Sequence, residues 1–574
     1  MSGDSPRLDG DRLDRAERAL LQGRIDRRGF LRSAMASGLS LTAATALASH
    51  AEQARAMQLA NAASLKASYD YIVCGAGSSG SVVARRLAEN PDVRVLLLEA
   101  GGSDDIPSVT NPAAWPTNLG SGRDWAFKAE PNPRLNGRAI PLSMGKVLGG
   151  GSSINVMVWS RGHKSDWDYF ASEAKDPAWS YESILRIYRR IEDWQGADDP
   201  VRRGKGGLVF VQPAPEPNPI APAMLEAARS VGIPTFADQN GHMMEGDGGC
   251  AIANVRIKDG RRLSVFRTYT FPYMDRPNLT VLTDALVSRV ILKGKKAVGV
   301  EIAYGGKPMK IGAGQEVVLS LGAINTPKVL MQSGIGDEAE LKRHGIPVVQ
   351  HLPGVGRNFQ DHFMVAGCVW EYATPIAFRN NAAECTFFWK SDSRLDTPDL
   401  QPFQIEAPYV SAETGKQFAP PAECWSLSPA VVRPKSTGRI TLTGAGPQDP
   451  VRIDANTLAE PDDFTAIMKC VEICREIGNS AAMKPFVKRE VMPAGLTGQA
   501  LERFVRDAIV TYWHETCTAK MGTDAMSVVD GKLKVYGIDN LRIADGSIMP
   551  RVTTGNTMAP CVVIGERLSE ILTT

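Results

Sequence analysis

Two residues in this 574-residue chain have side chains suited to taking a proton from a hydroxyl and steadying the oxygen left behind. His514 follows Trp513 and precedes Glu515-Thr516-Cys517, and an imidazole with an unperturbed pKa of about 6.5 accepts a proton near neutrality. Asn556, between Gly555 and Thr557, carries an amide that donates and accepts hydrogen bonds without titrating, so it can orient an oxygen but not share the role of base. A histidine beside aromatics is also a common structural residue, and an asparagine after glycine a common turn residue. His362, directly after Asp361 in a loop-like stretch, reads as structural. His163, His242, His344 and His351 stand in polar or turn-rich surroundings. No H-E-x-x-H or similar ligand spacing occurs, and no catalytic metal is expected.

Chemistry of this kind needs a hydride acceptor, and the sequence offers a place for one. Tyr69-Asp70-Tyr71-Ile72-Val73-Cys74 is a short β-rich run that ends at Gly75-Ala76-Gly77-Ser78-Ser79-Gly80. A helical pattern with Val82, Val83, Ala84 and Leu87 follows, stops at Asn90-Pro91, and gives way to a second apolar run, Val93 to Leu98, closed by Glu99. Each part has a physical role. Gly75 allows the tight turn, Gly77 lets backbone N–H groups approach a pyrophosphate, and Gly80 lets the helix lie close to the strand. Ser79 is counted with these glycines as a cofactor-binding residue, and Glu99 is placed to accept hydrogen bonds from a ribose hydroxyl. This fingerprint alone does not separate FAD from NAD.

Three further stretches bear on that choice. The first is Gly145-Lys146-Val147-Leu148-Gly149-Gly150-Gly151-Ser152-Ser153-Ile154-Asn155, with Arg161-Gly162 and Trp167-Asp168 beyond it. The second is Gly322-Ala323-Ile324-Asn325-Thr326-Pro327, then Leu352-Pro353-Gly354-Val355-Gly356-Arg357-Asn358 and Asp361-His362. The third is Trp513-His514-Glu515-Thr516-Cys517-Thr518-Ala519-Lys520-Met521-Gly522, then Ala544-Asp545-Gly546-Ser547 and Gly555-Asn556-Thr557-Met558-Ala559-Pro560. In this order they resemble the signatures of the glucose-methanol-choline oxidoreductases, from about Tyr69 to Leu572. The resemblance implies FAD as cofactor and oxidation of an alcohol by hydride transfer to flavin N5. It gives His514 the role of base, and Asn556 stands where the family places a second histidine or an asparagine. It also implies that Gly149, Ser153, Asn155 and Val156 lie along the flavin, that Asp545 and Gly546 touch it, and that Val287 lies near the adenine end, although Val287 reads equally as a core valine. Some members attach the flavin through a histidine in the first signature. Ile154 occupies that position here, so FAD is expected to be bound noncovalently.

Substrate choice is expected from the segment between about Val365 and Val432, where aromatics recur along β-rich stretches. Trp370 is the residue singled out as a pocket wall, although each of these aromatics reads equally as sheet core. A light-driven fatty-acid photodecarboxylase on the same scaffold is the nearest alternative, a non-catalytic flavin-binding subunit a more distant one, and a nicotinamide dehydrogenase the third. The electron acceptor, whether oxygen, a quinone or a cytochrome, is left open.

Alternating β and α patterns near the N-terminus predict an α/β fold, a Rossmann-like FAD-binding domain on a parallel sheet. The resemblance adds a substrate-binding domain on a mainly antiparallel sheet. Both are expected to be discontinuous, with residues 68–160, 205–345 and 535–574 in the first and 161–204 and 346–534 in the second. Lys and Arg total 65 against 63 Asp and Glu, for a net charge of +2, which gives no electrostatic case for nucleic acid as a partner. Nine scattered cysteines without a C-x-x-C read as small buried hydrophobes. Before the fold, Asp26-Arg27-Arg28-Gly29-Phe30-Leu31-Arg32 leads into a weakly apolar run to Ala51, and Ala54-Arg55-Ala56 supplies an A-x-A site. Residues 1–56 are therefore expected to be a twin-arginine signal that sends the folded protein to the periplasm or outside the cell. No run of 18 apolar residues follows, so no transmembrane segment is expected.

Overall fold

The structure is a computed structural model that describes residues 27–573 together with Ala16 and Leu20. Most of residues 1–26, and with them the start of the expected export signal, lie outside the described residues. Helices Arg27–Ala36 and Leu41–Ala63 precede the first strand, and the second runs without interruption through Ala54-Arg55-Ala56. Its last turns dock on the sheet through Gln58, whose Nε2 donates to the Met274 carbonyl at 2.7 Å and whose Oε1 accepts from Val281 N at 2.9 Å. Among the described residues no helix is long and apolar enough to cross a membrane.

A seven-stranded sheet forms one layer of the fold. Ser68–Cys74 lies parallel between Val95–Leu98 and the second half of Lys307–Leu319, with Leu279–Leu282 and Leu541–Ile543 flanking in parallel. The first half of Lys307–Leu319 turns outward into an antiparallel meander with Lys296–Tyr304 and Leu286–Lys293. The buried strands Ile72–Cys74 and Val95–Leu98 are apolar throughout, as strands covered on both faces must be. Helices Ser78–Ala88 and Met558–Thr573 pack together, and Gly565 is needed there because a Cβ would sit 2.8 Å from the Ser79 carbonyl.

The second layer is a six-stranded antiparallel sheet in the order Val487–Met492, Val369–Tyr372, Cys424–Ser428, Phe403–Ile405, Cys385–Phe388, Gly249–Ile252. The α/β fold with a second, antiparallel domain is thus as the sequence implies. One boundary needs correction. Residues 205–345 were assigned to the cofactor domain, yet Gly249–Ile252 completes the substrate-side sheet by pairing with Cys385–Phe388, a long-range partner that local pattern does not reveal. A smaller antiparallel sheet of Ala430–Val431, Phe363–Val365 and Ile509–Thr511 lies nearby. Its last strand delivers Tyr512, Trp513 and His514 to the space between the layers.

Candidate active site

The parallel strands of the first sheet end side by side, at Cys74, Leu98, Leu319 and Ile543, and the residues that follow them, Gly75, Glu99, Ser320 and Asp545, line one cavity. Ligands of open α/β sheets bind at this edge. Gly75 has φ +98°, and a Cβ on it would come 2.3 Å from the Ser320 carbonyl; a Cβ on Gly80 would come 1.9 Å from the Gly75 carbonyl. Both positions accept glycine alone. Gly77, by contrast, has no heavy atom within 4 Å of a built Cβ: it faces open space, as a close approach by a ligand requires. The helix that starts at Ser78 has no side-chain cap, which leaves its first N–H groups for an anion. Glu99 accepts from Ala76 N at 3.0 Å and Gly101 N at 2.8 Å, and burial pushes its pKa up to about 7 against those bonds. The glycine cradle, uncapped helix end and strand-end carboxylate fit an adenine dinucleotide, and the same cavity lining reaches from them to His514 and Asn556.

The other residues expected along the cofactor divide into two groups. Asn155, Val156, Asp545 and Gly546 line the cavity. Asp545 accepts from Gly322 N at 2.9 Å, Thr326 Oγ1 at 2.6 Å and Ser547 N at 2.8 Å, which ties the C-terminal segment to the middle of the chain. Ser79 also lines the cavity, with its hydroxyl bonded to the Cys561 carbonyl at 2.7 Å. Gly149 and Ser153 instead shape the turn behind it. Gly149 has φ +89° and donates to the Ala76 carbonyl at 2.8 Å, and Ser153 Oγ donates to the Leu148 carbonyl at 2.6 Å. Val287 is a buried residue of strand Leu286–Lys293, paired opposite Ile302 and outside the cavity lining. Trp370 corrects the expectation of a pocket wall. It is fully buried, stacked on Trp425 at 4.5 Å, with Nε1 bonded to Asn479 Oδ1 at 3.0 Å. Helix Pro461–Gly478 closes over that face, Gly478 against the Trp370 ring.

His514 and Asn556 meet in the cavity, His514 Nε2 standing 3.2 Å from Asn556 Nδ2. They belong to a chain of polar groups whose directions can be worked out. Gln401 Nε2 donates to Asn556 Oδ1 at 3.1 Å, so the Asn556 Nδ2 is left as donor and His514 Nε2 as acceptor. The proton of neutral His514 then sits on Nδ1 and is donated to His362 Nδ1, 2.9 Å away. His362 then accepts on Nδ1 and carries its own proton on Nε2. With the amides in this orientation the His514 Nε2 lone pair is directed at the Asn556 amide, on the cavity side of the ring. Burial pushes the His514 pKa down to about 3, so the imidazole is neutral across the working range. Asp361 fixes the backbone by accepting from His514 N at 2.8 Å and from the Thr511 hydroxyl, and burial lifts its pKa to about 7. From its loop-like context in the sequence His362 reads as structural. Its adjacency to Asp361 was the available signal, but the contact with His514 spans more than a hundred residues.

A dinucleotide cradle opening onto an uncharged histidine acceptor paired with an amide defines a flavin-type alcohol oxidoreductase. The chain belongs to the GMC oxidoreductase family, whose N-terminal and C-terminal patterns match residues 69–364 and 434–565. Membership implies FAD. Over 530 residues the chain is 35% identical to an oxygen-dependent choline dehydrogenase of Brucella anthropi, covering 87% of this chain and 95% of that protein. Over 533 residues it is 36% identical to an alcohol dehydrogenase [acceptor] of Pseudomonas putida, covering 88% and 95%. The crystal structure of pyridoxine 4-oxidase from Mesorbium loti superposes with a TM-score of 0.82 at 31% identity, over 88% of this chain and 98% of that one. These relatives support an FAD-dependent alcohol oxidoreductase.

Proposed function

We propose that the protein oxidises an alcohol to an aldehyde or ketone, with His514 as the base and Asn556 as the group that orients the substrate oxygen. The observation that carries this reading is the meeting of His514 Nε2 and Asn556 Nδ2, 3.2 Å apart in the cavity lining, with His514 Nδ1 engaged by His362 on the other side of the ring. A hydroxyl inserted between the two side chains donates to Nε2 and accepts from the Asn556 amide. As the C–H bond breaks, its hydride leaves and the hydroxyl proton passes to His514, so the carbon becomes a carbonyl. FAD, when bound, supplies the hydride acceptor. Ile154 lines the cavity where a histidine would be needed for attachment in the first signature, and Cys561, which also lines it, is kept a thiol by burial, its pKa pushed up to about 12. FAD is therefore held without a covalent bond. A fatty-acid photodecarboxylase is the weaker reading, because among the described residues no Lys or Arg lines the cavity to hold a carboxylate. Anaerobic mixing of the holoenzyme with a panel of alcohols tests the reaction: bleaching of the visible flavin band supports it, and an unchanged band with every alcohol refutes it.

Residues 1–56 are proposed to carry the folded holoenzyme across the cytoplasmic membrane, on the strength of the twin arginine, the apolar run and the A-x-A site in that order. Oxygen, a quinone or a cytochrome would reoxidise the flavin.

A further inference from the structure

We propose that Arg262, standing behind Asn155, is the counter-charge for the negative charge that hydride transfer brings into the cavity, and that it raises the reduction potential of bound FAD; this rests on the FAD-dependent oxidation proposed above. Arg262 is buried, and its donors are unequally served. Nε donates to the Val109 carbonyl at 2.7 Å, Nη1 to the Ser152 carbonyl at 3.3 Å and to Asn155 Oδ1 at 2.8 Å, and Nη2 is buried with no partner. Arg256 is wholly buried and donates through Nη2 to the Thr268 hydroxyl and the Ser264 carbonyl, while its Nε and Nη1 have no partner. Among the described residues neither guanidinium pairs with a carboxylate. Asp104, which Ser264 also touches, is taken by Arg267 through Nε at 2.8 Å and Nη2 at 2.9 Å.

An ion taken out of water without a partner costs several kcal/mol. Two such cations, with donors left over and no acid between them, describe a site whose negative charge arrives with a ligand. Asn155 shows where that charge is met. Its Oδ1 accepts from Arg262 and from Met157 N at 3.0 Å, which turns Nδ2 the other way, 3.1 Å from Met558 Sδ. Asn155, Met558 and Asn556 share one lining, so the Arg262 charge enters it beside the segment that carries Asn556. A diphosphate has donors of its own in the uncapped helix end at Ser78.

Hydride transfer moves one hydrogen and two electrons from the carbinol carbon to FAD and leaves the hydroxyl proton on His514. One negative charge is thereby added at the cofactor. His514 is a poor place to keep the balancing proton, since burial pushes its pKa down to about 3. Among the described residues no Lys or Arg lines the cavity, and Lys146 acts on Glu99 at the nucleotide end. Arg262 reaches the lining through a single amide, and in a dry interior a charge is felt across such a bond. The oxidised isoalloxazine is uncharged, so Arg262 favours the reduced cofactor over the oxidised one.

The test compares wild-type holoenzyme with Arg262→Met by anaerobic equilibrium reduction against a redox dye and by titration with sulfite, an anion that adds to oxidised flavin; neither needs an alcohol. In Arg262→Met the equilibrium constant for reduction is expected to fall about 10- to 100-fold, about 30–60 mV to lower potential for a two-electron couple. Half-saturation by sulfite rises about tenfold, while oxidised FAD keeps its wild-type affinity. Arg256→Met, whose guanidinium bonds to no lining residue, shifts the potential the same way by less. An unchanged potential in Arg262→Met with FAD bound overturns the proposal, and so does equal weakening of oxidised and reduced FAD, which assigns the charge to the diphosphate. If Arg262→Met does not fold, a wild-type potential at or below that of free FAD, or an unchanged potential in Arg256→Met, overturns it instead. The two readings fail separately. A lowered potential in Arg262→Met while no alcohol bleaches the wild-type flavin removes the oxidation reading and leaves the action of Arg262 on the cofactor.

Discussion

Replacing His362 by phenylalanine tests the tautomer argument, because it removes one acceptor and keeps a ring of similar size. In the native arrangement His514 Nδ1–H points at His362 Nδ1 across 2.9 Å in a fully buried setting. Without that acceptor the donor is left unsatisfied, at a cost of about 1–3 kcal/mol. The alternative is for the proton to move to Nε2, which faces the substrate and can then no longer accept. Either route disfavours the reactive form, and at 1.4 kcal/mol per decade the flavin should be reduced about 5- to 150-fold more slowly. Removing the base itself, in His514→Ala, should cost more, about 10² to 10⁴ fold. His362→Gln restores a carbonyl acceptor and should recover most of the lost rate. Anaerobic stopped-flow following the visible flavin band measures all three, and the spectrum before mixing shows that FAD remains bound. With the His514 pKa pushed down to about 3, the wild-type rate should have no acid limb near the ordinary histidine value of about 6.5. A phenylalanine variant that reduces its flavin at the wild-type rate, or a glutamine variant no better than phenylalanine, would refute the assignment of the Nε2 lone pair.

Further outcomes follow from other groups. Glu99→Gln should weaken FAD binding by about 1.5–3 kcal/mol while the protein still folds, since it removes the charged acceptor at the strand end that is placed for a ribose hydroxyl; titration of apoprotein with FAD measures it. Precipitation of the holoenzyme with acid should release all FAD to the supernatant, and yellow colour retained in the pellet would show a covalent link. Burial and the neighbouring Glu384 raise the pKa of Glu406 to about 8 from an ordinary 4.5. The folded state then binds more protons than the unfolded chain between these values, so this stabilisation is complete below about pH 4.5 and is lost as pH rises toward 8, by up to about 1.4 kcal/mol per unit. Glu406→Gln should flatten that slope in thermal melts recorded against pH, and an unchanged slope would remove the carboxyl pair as its source. Changing Arg27 and Arg28 to lysine should leave active, FAD-loaded protein in the cytoplasm; equal activity in the periplasm would sink the export reading.

What could be read before folding was what is local. The positive φ at Gly75 and the packing of Gly80 against the Gly75 carbonyl are set within one strand-turn-helix unit, and spacing alone predicts them, although the Ser320 carbonyl that also crowds Gly75 comes from a distant strand. Trp370 shows where that stops. Val369–Tyr372 is a strand whose Trp370 side chain is fully buried, but period-two alternation does not say whether its cover is a ligand or another element. Here the cover is Pro461–Gly478, brought in from ninety residues further along the chain, and its Gly478 admits the indole. His362 went unrecognised for the same physical reason. A side chain's chemistry is set by what the fold sets against it, and the Nδ1 that directs the His514 proton arrives on a different strand connection, with Asp361 alongside to hold the His514 backbone. The charge state of Glu515 is subtler still. It follows the base directly in sequence, and both of its carboxyl oxygens are buried without a hydrogen-bond partner, beside Asp361. Burial and Asp361 push this carboxyl toward the neutral acid, so it lends little negative charge to the adjacent base, and the lowered proton affinity of His514 follows from burial that no motif encodes.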